Sequence, residues 1–126
     1  MQAVIMVAAG GAVGSLGRYW VGMAMARILG DGFPWGTLLI NVLGSFVIGA
    51  AGGLTAAGGR MDGDMTIRLL VMTGLCGGFT TFSAFSLQTV FLLRAGQPMA
   101  ALANVAASAG LCLLATFAGL AIFTSR

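Results

Sequence analysis

The residues best equipped for chemistry gather in one stretch, Gly74-Leu-Cys-Gly-Gly-Phe-Thr-Thr-Phe-Ser-Ala-Phe-Ser86. Paired glycines, paired threonines, two serines and three phenylalanines at three-residue spacing interrupt a long apolar run. Glycine and β-branched threonine both weaken a helix. In hydrocarbon, freed backbone groups must find partners, so a broken helix survives only inside protein or against a cavity. Such breaks are where channels and transporters place ion sites. Acid–base or nucleophilic catalysis is a poor match: the chain has no histidine or glutamate. Without an intramembrane carboxylate, no nucleophile–base pair can form.

The surrounding elements must hold that break. Hydrophobic residues make up 59% of the 126 residues and charged residues only 7%. So much apolar surface marks a polytopic membrane protein, with room for about four spans of about 20 residues. The expected class is all-α and integral to the membrane, with residues 1–126 forming one four-helix domain. Six arginines face three aspartates, for a net charge of +3. The arginines are scattered and form no nucleic-acid patch. The N-terminus lacks the basic region of a secretory signal, and its apolar run continues to full span length. Cys76 and Cys112 lie in spans and read as small hydrophobes.

Span one is expected over 4–29. Gly10 and Gly14 give it a close-packing face. Arg18 lies well inside this span, where an arginine costs roughly 3 kcal/mol on insertion scales unless paired or wetted. It either snorkels or finds a backbone carbonyl, or it supplies positive charge at the mouth of an anion path. Span two is expected over 36–57, after a turn in which Trp35 can sit at headgroup level. Thr37, Asn41 and Ser45 recur every four residues and so share one face. Their plainer role is helix–helix glue. Gly49 and Gly53 add a second close-packing pair.

The aqueous loop carries Arg60, Asp62 and Asp64, and Asp64 is placed to cap span three. Span three is expected over 66–94 with a break near 77–81. As one straight helix it would run about 42 Å, beyond a bilayer core of about 30 Å. Span four is expected over 99–123, with Asn104, Ser108, Cys112 and Thr116 at four-residue intervals. Four spans put Arg60, Arg68 and Arg126 on one side and Arg27 and Arg94 on the other, with Arg18 leaning toward the second group. Orientation follows an asymmetry of such counts. Here the bias is nearly absent, which allows insertion both ways and an antiparallel, dual-topology homodimer.

Gly36-Thr-Leu-Leu-Ile-Asn-Val-Leu-Gly-Ser45 followed by Gly74-Leu-Cys-Gly-Gly-Phe-Thr-Thr-Phe-Ser83 resembles the Fluc (CrcB) family of fluoride channels. Arg18-Tyr-Trp20 and the Phe-Pro-Trp-Gly-Thr turn fit as well, so the resemblance covers nearly the whole chain. It implies a passive fluoride channel in the inner membrane of a prokaryote. It also implies an antiparallel homodimer among membrane lipids, with two pores and a central structural sodium ion. By that resemblance Gly77 and Thr80 offer backbone carbonyls to sodium, Phe82 and Phe85 line the pores, Asn41 donates to fluoride, and Ser108 belongs to the span-four lining. This sequence departs from the family pattern at Ala84, where a threonine is common, at Asn104, where a tyrosine is usual, and at Cys112, where a serine is common.

The chemistry of the residues stands beside that implication. Fluoride is small and strongly hydrated, so a selective path must replace its water with donors. Asn41 and the hydroxyls of Ser83 and Ser108 can donate. The positive edges of Phe82 and Phe85 can meet an anion while keeping the path narrow. Arg18 and Thr37 are candidates for a vestibule, and Phe79 reads as ordinary packing. Two other classes compete. A small multidrug-type transporter needs a membrane carboxylate that these spans lack. A structural membrane-assembly protein explains the glycine pairs but not the Phe-Thr-Ser arrangement.

Overall fold

Apolar runs of span length, with turn residues between them, leave the backbone one way to satisfy itself in hydrocarbon, as helix. A computed structural model of the protein describes residues 1–124, and Arg126 of the charge argument lies outside the described residues. Helix α1 spans Gln2–Leu29, α2 Trp35–Thr55, α3 Gly77–Phe79, α4 Phe82–Arg94 and α5 Pro98–Phe123. A π-helical stretch, Ile67–Cys76, leads into α3. No strand occurs among the described residues. Among the described residues, four helical segments are long and apolar enough to cross a membrane: Gln2–Leu29, Trp35–Thr55, Ile67–Arg94 and Pro98–Phe123.

The ends follow local chemistry. Gly30, at φ 73°, ends α1 and returns its N–H to the Ala26 carbonyl. Asp64 caps the third segment as its position suggested, its Oδ1 accepting from the N–H groups of Thr66 at 2.8 Å and Ile67 at 3.1 Å. Arg68 reaches back to the Thr55 carbonyl at 2.9 Å and satisfies the end of α2. Pro98 opens α5, where its missing N–H costs nothing.

Both glycine pairs pack backbone against backbone. A Cβ on Gly10 would lie 2.8 Å from the Leu75 nitrogen, and one on Gly14 2.8 Å from that of Phe79. α1 is thereby held directly against the third segment. On the other side, a Cβ on Gly49 would strike the backbone of Thr116, and one on Gly53 would lie 2.8 Å from the Leu120 carbonyl, which joins α2 to α5. Phe79 packs between α1 and α2, within 3.4 Å of where a Gly17 side chain would begin and 3.3 Å of the same point on Gly44.

The helix does not yield at its glycines. Gly77 has α-helical angles (φ −63°, ψ −37°), and α3 continues through Gly78 to Phe79. The residues that leave the helix are Thr80 (φ −77°, ψ 156°) and Thr81 (φ −152°, ψ 109°). Within the stretch 77–81 marked for a break, the glycines stay helical and the threonines leave the helix. The cause is tertiary: a side chain on α2 draws the Thr81 backbone out of the helical ladder.

Candidate functional site

That side chain is Asn41. Its Oδ1 accepts the Thr81 N–H at 2.8 Å, and its Nδ2 donates to the Thr81 carbonyl at 3.2 Å. A continuous helix would send the Thr81 N–H to the carbonyl four residues earlier, that of Gly77. Asn41 takes the amide instead and releases the Gly77 carbonyl. The neighbouring Thr80 carbonyl receives the Arg18 Nη1 at 3.4 Å, and the Thr80 hydroxyl donates to Cys76 at 2.8 Å. Thr81 then caps α4, its Oγ1 accepting from the Ala84 N–H at 3.1 Å. Two polar side chains from α1 and α2 thus satisfy the two residues that left the helix.

Beside this point lies a groove of about 700 Å³ that brings together Asn41, Gly77, Thr80, Phe82, Phe85 and Ser108. Phe82 is 78% exposed in the single chain, and its ring centroid lies 5.2 Å from that of Phe85 at a 49° tilt. Ring edges, not stacked faces, are available along such a pair. Asn41 has two amide protons and spends one on Thr81, which leaves one for the groove. Ser45, Cys76 and Cys112 also line it. Both cysteines are free thiols, Cys76 buried and Cys112 partly so.

Ser83 stands apart from that lining and hydrogen-bonds the Thr81 hydroxyl at 3.1 Å. Arg18 and Thr37 meet elsewhere, in a hollow of about 340 Å³ that Thr81 also lines. The Thr37, Asn41, Ser45 face therefore divides. Four residues overshoot one turn of 3.6, so Thr37 has rotated to the Arg18 side while Asn41 and Ser45 face the groove. The α5 stripe divides too: Ser108 and Cys112 line the groove, and Asn104 turns inward as the most buried side chain described.

Thr81 is the residue the sequence reading missed. It is 9% exposed, clasped by Asn41 and touched by both hollows. A threonine just before a helical run is an N-cap signal, and Thr81 ahead of Phe82 carried it. Asn104 and Thr89 form a second unanticipated link, Nδ2 to Oγ1 at 2.9 Å.

Four helices long and apolar enough to cross a membrane, with a groove of amide, hydroxyl and aromatic groups beside Thr80 and Thr81, mark a multi-pass membrane protein. The family model described as CrcB-like protein, Camphor Resistance (CrcB), matches residues 5–120, and the chain belongs to this family. It is 49% identical over 122 residues to the fluoride-specific ion channel FluC of Rhizobium johnstonii, covering 97% of this chain and 96% of that one. It is 54% identical over 115 residues to the protein of that name from Methylobacterium radiotolerans, covering 91% and 80%. With the one from Opitutus terrae it shares 51% over 119 residues, covering 94% and 90%. These relatives are named as ion channels and not as enzymes. The family is the one that the Gly36–Ser45 and Gly74–Ser83 segments pointed to.

Proposed function

We propose that this chain is a passive fluoride-selective channel that lowers fluoride in the cell whose membrane holds it, the inner membrane of a prokaryote. The observation that carries the reading is the groove in which Asn41, Phe82, Phe85 and Ser108 meet. An amide proton, two ring edges and, once released from Asn104, the Ser108 hydroxyl supply what a dehydrated small anion needs. The site contains no carboxylate to repel it. The names of the relatives supply the ion. Arg18, beside Thr37, adds a positive charge in the adjoining hollow, where it would draw anions toward the path.

In this reading a groove open along one side is half of a pore. A second, antiparallel copy closes it, and the pair carries two pores among the lipids. Gly77 and Thr80 fit a hard monovalent cation where the copies meet. Both residues line the groove, the Gly77 oxygen has lost its helical partner, and no acidic residue lines the place. The Thr80 carbonyl keeps one lone pair beside its 3.4 Å contact with Arg18. These residues would hold sodium, whose charge would offset the facing carbonyl dipoles off the fluoride path. The deciding experiment is fluoride efflux from liposomes that carry the purified protein, with chloride as control. Fluoride efflux without chloride efflux is expected. Efflux of neither ion refutes the channel reading and leaves the membrane-assembly role.

A further inference from the structure

Asn104 is absent from the groove lining and is only 1% exposed, yet it touches the groove's chemistry through Ser108. Three bonds run in one direction. Ser108 Oγ donates to Asn104 Oδ1 at 3.5 Å, Asn104 Nδ2 donates to Thr89 Oγ1 at 2.9 Å, and Thr89 Oγ1 donates to the Phe85 carbonyl at 2.7 Å. A hydroxyl has one proton. In this arrangement the Ser108 proton points at Asn104, and its lone pairs are left for the groove. Lone pairs repel an anion.

The amide of Asn104 has two ends of opposite character. Turned over, its Oδ1 would accept the Thr89 proton and its Nδ2 would donate to Ser108 Oγ. The Ser108 proton would then be free to enter the groove. Asn104 keeps a donor and an acceptor bond both ways, so the two arrangements differ mainly at the ends of the chain. The Ser108 link, at 3.5 Å, is far longer than the 2.5–3.0 Å usual between oxygens. It is the bond that an arriving anion breaks most cheaply.

We propose that Asn104 is a positioning residue: the orientation of its buried amide sets whether Ser108 offers a proton or lone pairs to an ion in the groove. The proposal rests on the fluoride reading. Without the amide, a helical serine turns its proton back to the carbonyl four residues earlier, and that proton is lost to the path.

The test is fluoride efflux from liposomes carrying Asn104→Leu, Ser108→Ala and the double variant, each checked for helix content and assembly. Asn104→Leu and Ser108→Ala should each lower the rate about tenfold, equal to about 1.4 kcal/mol. The double variant should be no slower than either, because both remove the same donated proton. Thr89→Val, which leaves Asn104 in place, should also fail to multiply with Ser108→Ala, and it carries the test if Asn104→Leu does not assemble. Losses that multiply, or a Ser108→Ala channel with an unchanged rate, overturn the proposal while leaving the channel reading intact. A wild-type protein that carries no fluoride overturns both.

Discussion

Replacing Asn41 by leucine keeps the branched shape of the side chain and removes both of its bonds to Thr81. The structure sets the cost. The Thr81 N–H and carbonyl, now at 2.8 Å and 3.2 Å from the amide, would lose their partners in a residue that is 9% exposed. Leaving a buried polar group unpaired costs about 1–3 kcal/mol. Two such groups come to about 2–6 kcal/mol, unless Thr81 falls back into the helical ladder and recovers the Gly77 carbonyl. Either outcome destroys the local geometry that aims α4 at the groove. Fluoride flux should therefore fall by at least tenfold while the four spans persist. Hydrogen exchange reads the clasp without reference to transport. Loss of the single N–H bond should speed exchange at Thr81 by about 5- to 150-fold. Exchange at Thr81 and fluoride flux both unchanged in Asn41→Leu would refute the claim that Asn41 holds the interruption. Asn41→Asp is a harsher companion: it keeps the acceptor for the Thr81 N–H but sets a charge against the Thr81 carbonyl, and it should abolish flux.

Substituting leucine for Phe82 or Phe85 should sharply cut fluoride flux with assembly intact, because the positive ring edges are lost; near-normal efflux in both would refute their role. Gly77→Ala isolates the contact between copies. Beyond its sequence neighbours and its own helix backbone, nothing in the described chain lies within 4 Å of where that Cβ would sit, so a loss of dimer on gel filtration would report a neighbouring copy, and an unchanged dimer would move Gly77 off the axis. A reporter fused to the C-terminus should appear on both sides of the membrane, and a single orientation would exclude the antiparallel pair. Exchanging sodium for a bulky organic cation during purification should weaken the dimer and lower flux, and indifference of both would remove sodium from the proposal.

The spans were legible because length and apolar composition alone specify them in lipid. The cap at Asp64 and the packing of Gly10, Gly14, Gly49 and Gly53 were legible because each depends on a few adjacent residues. The exact seat of the interruption was not. Local propensity marked the glycines and the threonines of 77–81 alike, while the choice between them lay with Asn41, 40 residues from Thr81 in sequence. The same limit hid Asn104. A polar residue at four-residue spacing from Ser108 reads as part of one lining, yet the packing of α5 against α4 turns it to Thr89 instead. Thr37 left the Asn41 face for a different reason: residues four apart drift about 40° around the helix at each step, which carries Thr37 to the hollow beside Arg18.

The winding of Ile67–Cys76 has a consequence for phase. A π-helix carries more residues per turn than an α-helix, in effect residues inserted without lengthening the sequence pattern that follows. The Thr73 hydroxyl reaches the carbonyl five residues back, at Arg68, in keeping with that winding. Deleting one residue here would let a turn relax to the α form, at little cost in apolar surface. The relaxed turn would absorb the loss, so Thr81, Phe82 and Phe85 would keep nearly their present phase toward Asn41 and the groove. A deletion inside α4, which has no such slack, would instead rotate everything beyond it by about 100°. The π-helical stretch is therefore where the third segment can lose a residue and still present Thr81 to Asn41.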